Sequence, residues 1–334
     1  MGIADFARSA EIRLHRRRQQ RKHSSGWEPV LKPYRGYGTT THAHVLGRVL
    51  LEDPRVEREV ERGYRQFITA PMEGLPVTVH IGEVTQVAET THDGYFDIYA
   101  EDHGLAPGWH EAVVEAEGAQ PTKAEVLITS DNETFGIISD IDDTIMVTDL
   151  PRAFHAAYNS WIEFTDKRRP VDGMAEFYTE ILRDHPDAPV FYLSTGAWNT
   201  YDTLVDFIEQ QGLPKGPLLL TDWGPTPTRL FRSGQEHKRV SLRNLIITFP
   251  QIKWILVGDN GQHDPLTYGD LAAEHPTRVA GIAIRKLTPT EHVLAHGTVS
   301  SLTGSVRPTN ANIPVISASD GFGLLHAYRI NPFI

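Results

Sequence analysis

Three aspartates follow an apolar segment within four positions, and their spacing indicates chemistry. Asp140, Asp142 and Asp143 come directly after the apolar run 134–139. Apolar runs of this length, bounded by turn residues, are typical of strands that are buried on both faces of a parallel sheet. Carboxylates crowded at one strand end repel one another unless a divalent cation lies among them. The segment therefore predicts a metal site suited to phosphoryl transfer at the end of a buried strand.

Two simpler explanations of this acidic motif were weighed. A calcium-binding loop also begins Asp-x-Asp, but it has Gly at its sixth position and Glu at its twelfth. Ile145 and Pro151 occupy those positions here, which excludes such a loop. An acidic turn that merely ends a strand remains the alternative for the motif taken alone.

Four further polar residues lie where predicted strands end or helices begin. Ser194 and Asp259 follow apolar strands, and Asp264 comes five residues after Asp259. Lys238 opens a predicted helix. Taken singly, Ser194 is typical of a strand cap and Lys238 of a solvated helix start. Because ligands of open α/β sheets bind outside the carboxyl ends of the strands, we expect these residues to meet Asp140 in one crevice.

The elements that must position these residues alternate between strands and helices from about residue 131. This alternation predicts a mainly parallel sheet. The predicted strands are 134–139, 190–193, 217–220, 254–257 and 279–284. The predicted helices are 153–164, 172–182, 201–210 and 239–249, followed in the tail by a loop at 298–312, a strand at 313–316 and a helix at 321–328.

Between about residues 34 and 128 the pattern consists of short strands separated by turn residues. Such a pattern predicts a small antiparallel β-sandwich, with a barrel as the alternative. Asp93-Gly94 is a strong hairpin signal that would join two of these strands. The predicted strands are 43–51, 64–69, 75–81, 83–89, 95–99, 110–115 and 124–128.

Residues 1–25 form a predicted basic amphipathic helix. Apolar residues recur at helical spacing, and the remaining positions are mostly Arg or Lys. Such a helix can lie on an anionic membrane surface. A solvated helix or a frayed terminus explains the pattern equally, and the sequence leaves both open.

Composition excludes several classes of protein. The net charge of −11, from 32 basic and 43 acidic residues, argues against a nucleic-acid-binding protein. Without cysteine there are no disulfides, thiolate nucleophiles or cysteine-ligated metals. No apolar stretch approaches the roughly 18 residues that span a bilayer, and the N-terminus lacks a signal-peptide core. We expect a soluble, cytoplasmic protein, with peripheral contact at the inner membrane surface through residues 1–25.

The order of the motifs resembles that of the haloacid dehalogenase superfamily of phosphotransferases. A closer resemblance is to the catalytic domain of the actin-patch phosphatidate phosphatase family, although this chain has Thr195 and Ala197 where a more polar residue and a proline are expected. The N-terminal segments 34–38, 47–49 and 94–96 are similar to the β-rich domain of bacterial members. The motifs that carry the closer resemblance are DIDDTI at 140–145, YLS at 192–194 with Trp198, HK at 237–238 and GDNGQHD at 258–264.

This resemblance implies a fold and a division into domains. The catalytic domain would be a Rossmann-like parallel sheet with helices on both faces, preceded by the small antiparallel β-sandwich. The implied domains are the helix 1–25, the β-rich domain 30–130 and the phosphatase domain 133–334. Only about 25 residues separate the acidic motif from the helix at 172, so any cap is minimal. An open site of this kind suits a bulky or membrane-presented substrate.

The resemblance also implies a role for each residue. Asp140 would be the nucleophile that forms an aspartyl-phosphate, and Asp142 would be the general acid and base. Lys238 and Ser194 would bind the phosphoryl group. Mg²⁺ would be held by Asp140, the backbone carbonyl of Asp142 and Asp259, with Asp264 behind them. The implied substrate contacts are Thr144, Thr195, Gly196, Trp198 and Arg285, for the last of which a surface position is the alternative.

Three functions are compatible with these observations. The first is a Mg²⁺-dependent phosphatase that hydrolyses phosphatidate or a related lipid phosphate. The second has the same mechanism but acts on a soluble phosphometabolite or a phosphoprotein. The third is a non-catalytic interaction scaffold. The intact set of acidic residues with Lys238 argues against the scaffold, because a scaffold has no physical need for such a charge cluster.

Overall fold

The computed structural model describes residues 26–55, 70–147, 169–221, 234–261, 263–296 and 313–333. The chain divides into two compact units, residues 1–130 and residues 131–334. Several predicted segments lie outside the described residues: the basic helix 1–25, the strand 64–69, the helix 153–164 and the loop 298–312.

The described part of the first unit consists of eight strands. Along most of them buried and more exposed residues alternate, as expected for a sheet with one face on a core. The strands are β1 (Glu28–Gly38), β2 (His42–Glu52), β3 (Ala70–Pro71), β4 (Pro76–Ile81), β5 (Val84–Glu89), β6 (Tyr95–Glu101), β7 (Gly108–Ala116) and β8 (Thr122–Ile128).

These eight strands are joined in one curled sheet. Its order is β3-β2-β1-β8-β7-β4-β5, and β6 pairs with the part of β2 that β3 leaves open. The pairs are antiparallel except for β1 and β8, which run parallel. The layout therefore differs from the predicted sandwich of two separate sheets. The physical reason is β1, which pairs with β2 along most of its 11 residues and with β8 through residues 36–38.

The strand β1 was not predicted from the sequence. Pro29 and Pro33 interrupt its pattern, because proline cannot donate a hydrogen bond to a neighbouring strand. Both prolines lie in the part of β1 that pairs only with β2, where a proline can leave its other edge without a hydrogen-bond donor. The six predicted strands of the first unit that fall within the described residues are confirmed, with ends that shift by one or two residues.

The predicted hairpin at Asp93-Gly94 is wrong in its pairing. The turn forms, since the Gly94 N–H donates to the Thr91 carbonyl at 2.8 Å. The two flanking strands do not pair with each other, because β5 pairs with β4 and β6 pairs with β2. The turn residues thus predict the local reversal of the chain correctly. The pairing partners of β5 and β6, however, are the strands β4 and β2, which offer longer antiparallel pairings.

The described part of the second unit alternates strands with helices, as the sequence predicts. The strands are β9 (Phe135–Asp140), β10 (Val190–Ala197), β11 (Leu218–Thr221), β12 (Lys253–Asp259), β13 (Val279–Arg285) and β14 (Val315–Ala318). The helices are α1 (Met174–Leu182), α2 (Tyr201–Gln210), α3 (Gly234–Thr248), α4 (Asp264–Glu274), α5 (Pro289–His296) and α6 (Gly321–Ile330).

The strands of the second unit form one parallel sheet. Its order is β11-β10-β9-β12-β13-β14, and every pairing is parallel. The central strand β9 is buried at all six of its residues. A parallel strand with both faces covered reads as a continuous apolar run, which is why the sequence identified this strand. The fold is mixed α/β, as predicted.

The helices of the described segments are short. The longest of them, α3, has 15 residues. Within the part of the chain that the structure describes, no helix is both long and apolar enough to cross a bilayer.

Candidate functional site

The strand register brings the predicted site residues to one edge of the parallel sheet. Asp140 is the last residue of β9, and it lies opposite Leu193 of β10. On the other side, Ser139 lies opposite Val257 of β12. Since parallel strands end at the same edge, the residues that follow in β10 and β12 reach the same crevice as Asp140.

Three buried carboxylates meet one buried ammonium at this edge. Asp140, Asp259 and Asp264 each offer a carboxylate oxygen, and these oxygens lie within 4.8 Å of one another. The Lys238 Nζ lies 2.6 Å from Asp140 Oδ1 and 2.7 Å from Asp264 Oδ1. The side chains of Lys238, Asp140 and Asp264 are at most 4% exposed, so water screens these charges little.

Burial in this cluster shifts the pKa of its members. Burial, together with the neighbouring carboxylates, raises the pKa of Asp140 and of Asp259 well above the usual aspartate value. Burial alone would lower the pKa of Lys238, but the negative charges of Asp140 and Asp264 outweigh it and raise that pKa. The two carboxylates thus favour the charged form of Lys238, whose single positive charge offsets only part of the acidic charge around it.

The loop after β9 is tightly hydrogen-bonded. The Ile141 carbonyl accepts from the N–H groups of Thr144, Ile145 and Met146 at 3.1–3.3 Å. The Thr144 hydroxyl donates to Asp140 Oδ2 at 3.1 Å. Asp143 adopts a left-handed backbone conformation, with φ of 58°. Thr144, predicted to contact the substrate, thus orients the predicted nucleophile directly.

Ser194 contacts Asp142 in this structure. Its hydroxyl donates to Asp142 Oδ2 at 2.8 Å and accepts from the Gly196 N–H at 2.9 Å. A serine hydroxyl has one proton to donate, and here that proton is used on Asp142. Ser194 therefore fixes the orientation of the predicted acid–base residue, and the carboxylate of Asp142 stands outside the three-carboxylate group.

Two buried tyrosines support the strands beneath the carboxylates. The Ser139 hydroxyl donates to the Asp140 carbonyl at 2.7 Å, so the Tyr178 hydroxyl, 2.6 Å away, must donate to Ser139. The Tyr268 hydroxyl donates to the Val257 carbonyl at 3.0 Å. These bonds anchor the ends of β9 and β12.

The other predicted substrate contacts lie at the end of β10. The Thr195 carbonyl accepts from the Thr221 hydroxyl at 3.1 Å. Gly196 is buried, and its N–H supports Ser194. Trp198 begins a 3-10 turn, with its ring 6.2 Å from that of Tyr201. Thr195 and Gly196 lie with Ser194 in the last residues of β10, and Trp198 comes directly after the strand.

Arg285 is buried rather than at the surface. Its residue is 5% exposed, and each of its three nitrogens donates to a partner within the second unit. Nη1 donates to the Asp143 carbonyl at 2.8 Å, Nε to the Ser319 carbonyl at 3.1 Å, and Nη2 to Glu291. The alternative of a surface position is therefore wrong.

The carboxylates fit a divalent metal such as Mg²⁺. Asp264 Oδ2 is buried and accepts no hydrogen bond from the described residues. A buried carboxylate oxygen without a donor is unfavourable unless a cation lies beside it. Hard divalent cations prefer such oxygen ligands. Among the described residues, Asp140, Asp259 and Asp264 form the one group of three or more potential ligand residues close enough to share an ion.

Several contributing residues were missing from the sequence prediction. Asp143 was visible as the third acid of the motif, but its left-handed conformation was not. Ser139 was visible as a polar residue at the end of an apolar strand. Tyr178 was predicted to be buried in its helix, but its contact with Ser139, 39 residues away, was not. Glu291 lies only six residues from Arg285, and it was not identified because the helix α5 that carries it was not predicted.

The fold and the site together define an α/β domain with a carboxylate-and-lysine cluster at the carboxyl edge of a parallel sheet. Residues 135–286 of this domain match the family described as "Phosphatidate phosphatase APP1, catalytic domain". The match thus covers β9 to β13 with all the residues of the cluster. By its description, the matched domain is the catalytic domain of a phosphoric monoester hydrolase.

Two yeast proteins are similar to part of the chain. Phosphatidate phosphatase APP1 of Saccharomyces cerevisiae is 31% identical over 151 residues, which are 45% of this chain and 25% of the yeast protein. An uncharacterized protein of Schizosaccharomyces pombe is 26% identical over 156 residues, 46% of this chain and 26% of that protein. The chain thus spans about a quarter of the length of these curated relatives.

A comparison with solved structures adds a weak likeness. The HAD domain of effector protein Lem4 from Legionella pneumophila aligns with 46% of this chain and 85% of its own, at 14% identity and a TM-score of 0.30. A likeness at that score supports no conclusion about this chain.

Proposed function

We propose that this chain is a Mg²⁺-dependent phosphatase that hydrolyses phosphatidate or a related lipid phosphate through an aspartyl-phosphate on Asp140. The observation that carries the proposal is the buried cluster of Asp140, Asp259 and Asp264 with Lys238. The cluster lies inside the segment that matches a phosphatidate phosphatase catalytic domain.

Asp140, Asp259 and Asp264 would hold the metal, together with the backbone carbonyl of Asp142. When bound, Mg²⁺ offsets the repulsion between the attacking carboxylate and the phosphoryl oxygens. Side chains of this chain hold the carboxylates in place. The Thr144 hydroxyl donates to one oxygen of Asp140, and the Lys238 ammonium binds the other. The Gly261 N–H binds Asp259 Oδ1 at 2.6 Å.

In the first step a carboxylate oxygen of Asp140 attacks phosphorus, and the bond from phosphorus to the glycerol oxygen breaks. Asp142, in its protonated form, gives its proton to the leaving oxygen, so that diacylglycerol leaves as a neutral alcohol. In the second step Asp142 takes a proton from water, and the water oxygen attacks phosphorus. The bond from phosphorus to Asp140 then breaks, which releases inorganic phosphate and restores both carboxyl groups.

Lys238 and Ser194 would serve these steps differently. Lys238 supplies a permanent positive charge beside the nucleophile, where negative charge accumulates as phosphorus is attacked. Ser194, predicted to bind the phosphoryl group, is assigned here to orienting Asp142, because its single proton is donated to that carboxylate.

The lipid substrate is the finer part of the proposal. It is supported by the printed description of the matched family and by the name of the yeast relative. A cytoplasmic protein that contacts the inner membrane surface through the basic residues 1–25 would meet such a substrate where it is formed. The same chemistry on a soluble phosphomonoester is the competing function, and a non-catalytic scaffold is the third.

The test is phosphate release from phosphatidate in mixed micelles, with a soluble aryl phosphate measured alongside, in Mg²⁺ or in EDTA. Asp140→Asn removes the nucleophile at constant shape. Asp187→Asn is the matched control, because Asp187 is exposed before the amino end of β10. We expect metal-dependent release from the lipid by the wild type and the control, and none by Asp140→Asn.

Other outcomes separate the three functions. Release from the aryl phosphate alone would keep the mechanism and reject the lipid substrate. Release that survives Asp140→Asn would reject the aspartyl-phosphate. A folded wild-type protein that releases phosphate from neither ester would favour the scaffold.

A further inference from the structure

Arg285 is a buried cation whose partners lie on three separate segments: the loop after β9, the helix α5 and the turn after β14. It ends β13 opposite Asp259 of β12, so its backbone belongs to the edge that carries the site. Its three nitrogens donate to the Asp143 carbonyl, the Ser319 carbonyl and the Glu291 carboxylate. A buried guanidinium is tolerated when it is paired and hydrogen-bonded, and these contacts satisfy both conditions.

The carbonyl that Arg285 binds belongs to Asp143, which lies in the loop 141–147 after β9. Asp143 has φ of 58°, a left-handed backbone conformation that residues other than glycine rarely adopt. Its N–H donates to the Met146 carbonyl at 2.8 Å, and its carbonyl accepts from Arg285. Both of its backbone polar groups are therefore fixed, which is what a non-glycine residue needs in order to stay left-handed.

The residues on either side of Asp143 act on the site. Asp142 is held by Ser194, and Thr144 donates to the predicted nucleophile. A change in the peptide between them would turn both side chains, since Asp143 sets the direction of the chain from one to the other. The position of the acid–base group thus depends on the conformation of Asp143.

Glu291 completes the arrangement around Arg285. One oxygen of its carboxylate accepts from Arg285, and the other accepts from the Thr288 N–H at 2.8 Å. Glu291 thereby holds the guanidinium through a second nitrogen and compensates its charge. Burial alone would raise the pKa of Glu291, but the bonds from Thr288 and Arg285 outweigh it and lower that pKa.

We propose that Arg285, fixed by Glu291, is a positioning residue that holds Asp143 in its left-handed conformation and thereby sets the place of Asp142. This indirect role replaces the predicted role of Arg285 as a substrate contact. The catalytic consequence rests on the proposed function, whereas the effect on the loop does not.

Two properties are measured on the same variants, Arg285→Met and Glu291→Gln. The first is amide hydrogen exchange in residues 141–147 of the metal-free, substrate-free protein. The second is the separate effect on kcat and KM for the aryl phosphate in Mg²⁺. Arg329→Met is the matched control, because Arg329 forms an exposed ion pair with Glu180.

We expect exchange in residues 141–147 to rise about tenfold in Arg285→Met, while strands β10 and β12 keep their protection. We expect kcat to fall about 10- to 100-fold with KM within about threefold, because a misplaced acid–base group slows the reaction without weakening binding. Glu291→Gln should give a smaller change of the same kind, and Arg329→Met should change neither property.

A rescue experiment separates positioning from a general structural role. Asp143→Gly permits the left-handed conformation without support. In that background Arg285→Met should change the exchange of the loop less than it does in the wild type. An equal effect in both backgrounds would overturn the role assigned to Asp143.

The proposal and the proposed function fail in different ways. A raised KM at unchanged kcat, with unchanged exchange, would mean that Arg285 contacts the substrate, and it would overturn the proposal. If the wild type hydrolyses no ester but Arg285→Met loosens the loop, the proposed function fails and the positioning of Asp143 stands. Unchanged exchange overturns the positioning whatever the activity. If Arg285→Met does not fold, Arg285→Lys and Glu291→Gln carry the same comparison.

Discussion

At the scale of single residues, the site is a buried group of charges that do not balance. Lys238 contributes one positive charge, and Asp140, Asp259 and Asp264 contribute up to three negative charges. Burial makes each uncompensated charge energetically unfavourable, which is why the pKa of Asp140 and of Asp259 rises. In the absence of a metal, these raised pKa values favour the protonated, uncharged forms of Asp140 and Asp259. The group that suits the proposed catalysis is therefore unfavourable for the stability of the metal-free protein.

This imbalance predicts that Asp259→Asn stabilises the metal-free protein at neutral pH. The raised pKa means that the folded protein binds this proton more tightly than the unfolded chain does. Between the unfolded value, about 4, and the raised folded value, stability consequently falls as the pH rises. Asparagine does not titrate and keeps an oxygen for the Gly261 N–H. In EDTA at pH 7.5 the variant should melt above the wild type, by roughly 2–4 °C for each kcal/mol gained.

The difference in melting temperature between Asp259→Asn and the wild type should shrink as the pH falls towards about 4. At that pH Asp259 is protonated in the folded protein and increasingly in the unfolded chain. Saturating Mg²⁺ should reverse the order, since only the wild type would gain the full free energy of binding. Asp187→Asn, an exposed substitution, should leave the melting temperature unchanged. Equal melting temperatures for Asp259→Asn and the wild type in EDTA at pH 7.5 would contradict the prediction.

At the scale of elements, the sequence predicts what depends on local pattern. The buried strands β9, β10 and β12 are continuous apolar runs, and the acids at their ends follow directly from that pattern. Six site residues could therefore be named in advance: Asp140, Asp142, Ser194, Lys238, Asp259 and Asp264. Their chemical roles stay predictions, but their convergence on one edge follows from the parallel sheet.

What the sequence did not predict depends on contacts between distant segments. The strand β1 carries prolines and is maintained by its two neighbours. The helix α4 was also not predicted, although it begins at Asp264 with a proline in its first turn, because Asp264 was interpreted only as a residue near the metal. The contacts of Arg285 with residues 143 and 319 also join segments that are distant along the chain.

The junction between β12 and α4 leads to a prediction for Gly258→Ala. A Cβ at Gly258 would lie 2.5 Å from Asp264 Oδ2 and 2.7 Å from Tyr268 Cε2, both closer than real contacts allow. The helix must move away, which would draw Asp264 from Lys238. We expect a loss of stability of about 1–3 kcal/mol in urea unfolding and a kcat about 100-fold lower per folded molecule.

Gly212→Ala is the control for this substitution. Gly212 has φ of +66° and no heavy atom within 4 Å of an added Cβ, so alanine there adds backbone strain alone. It should lose about 1–2 kcal/mol of stability and keep the wild-type kcat. If Gly258→Ala behaved like Gly212→Ala, close packing at this junction would not be what positions Asp264.

At the scale of the whole molecule, each unit has the material for its own core. The aliphatic core of the first unit is drawn from residues 31–128 alone. In the second unit the rings of Phe191, Phe249 and Trp254 pack with centroids 5.6–6.0 Å apart beside the buried strands. Every residue of the candidate site lies within residues 131–334, so the chemistry and its supporting core come from one unit.

This independence predicts that a fragment of residues 131–334 folds and hydrolyses a soluble aryl phosphate with a kcat within about threefold of the full chain. About 200 residues are ample for a domain with its own core, and the fragment keeps all the carboxylates, Lys238 and Arg285. The measurement compares aryl phosphate with phosphatidate vesicles, with the Asp140→Asn fragment as the blank. Lower release from vesicles at unchanged aryl phosphatase activity would assign lipid recruitment to residues 1–130. An insoluble fragment, or a kcat for the aryl phosphate reduced more than tenfold, would show that the first unit is needed for the site itself.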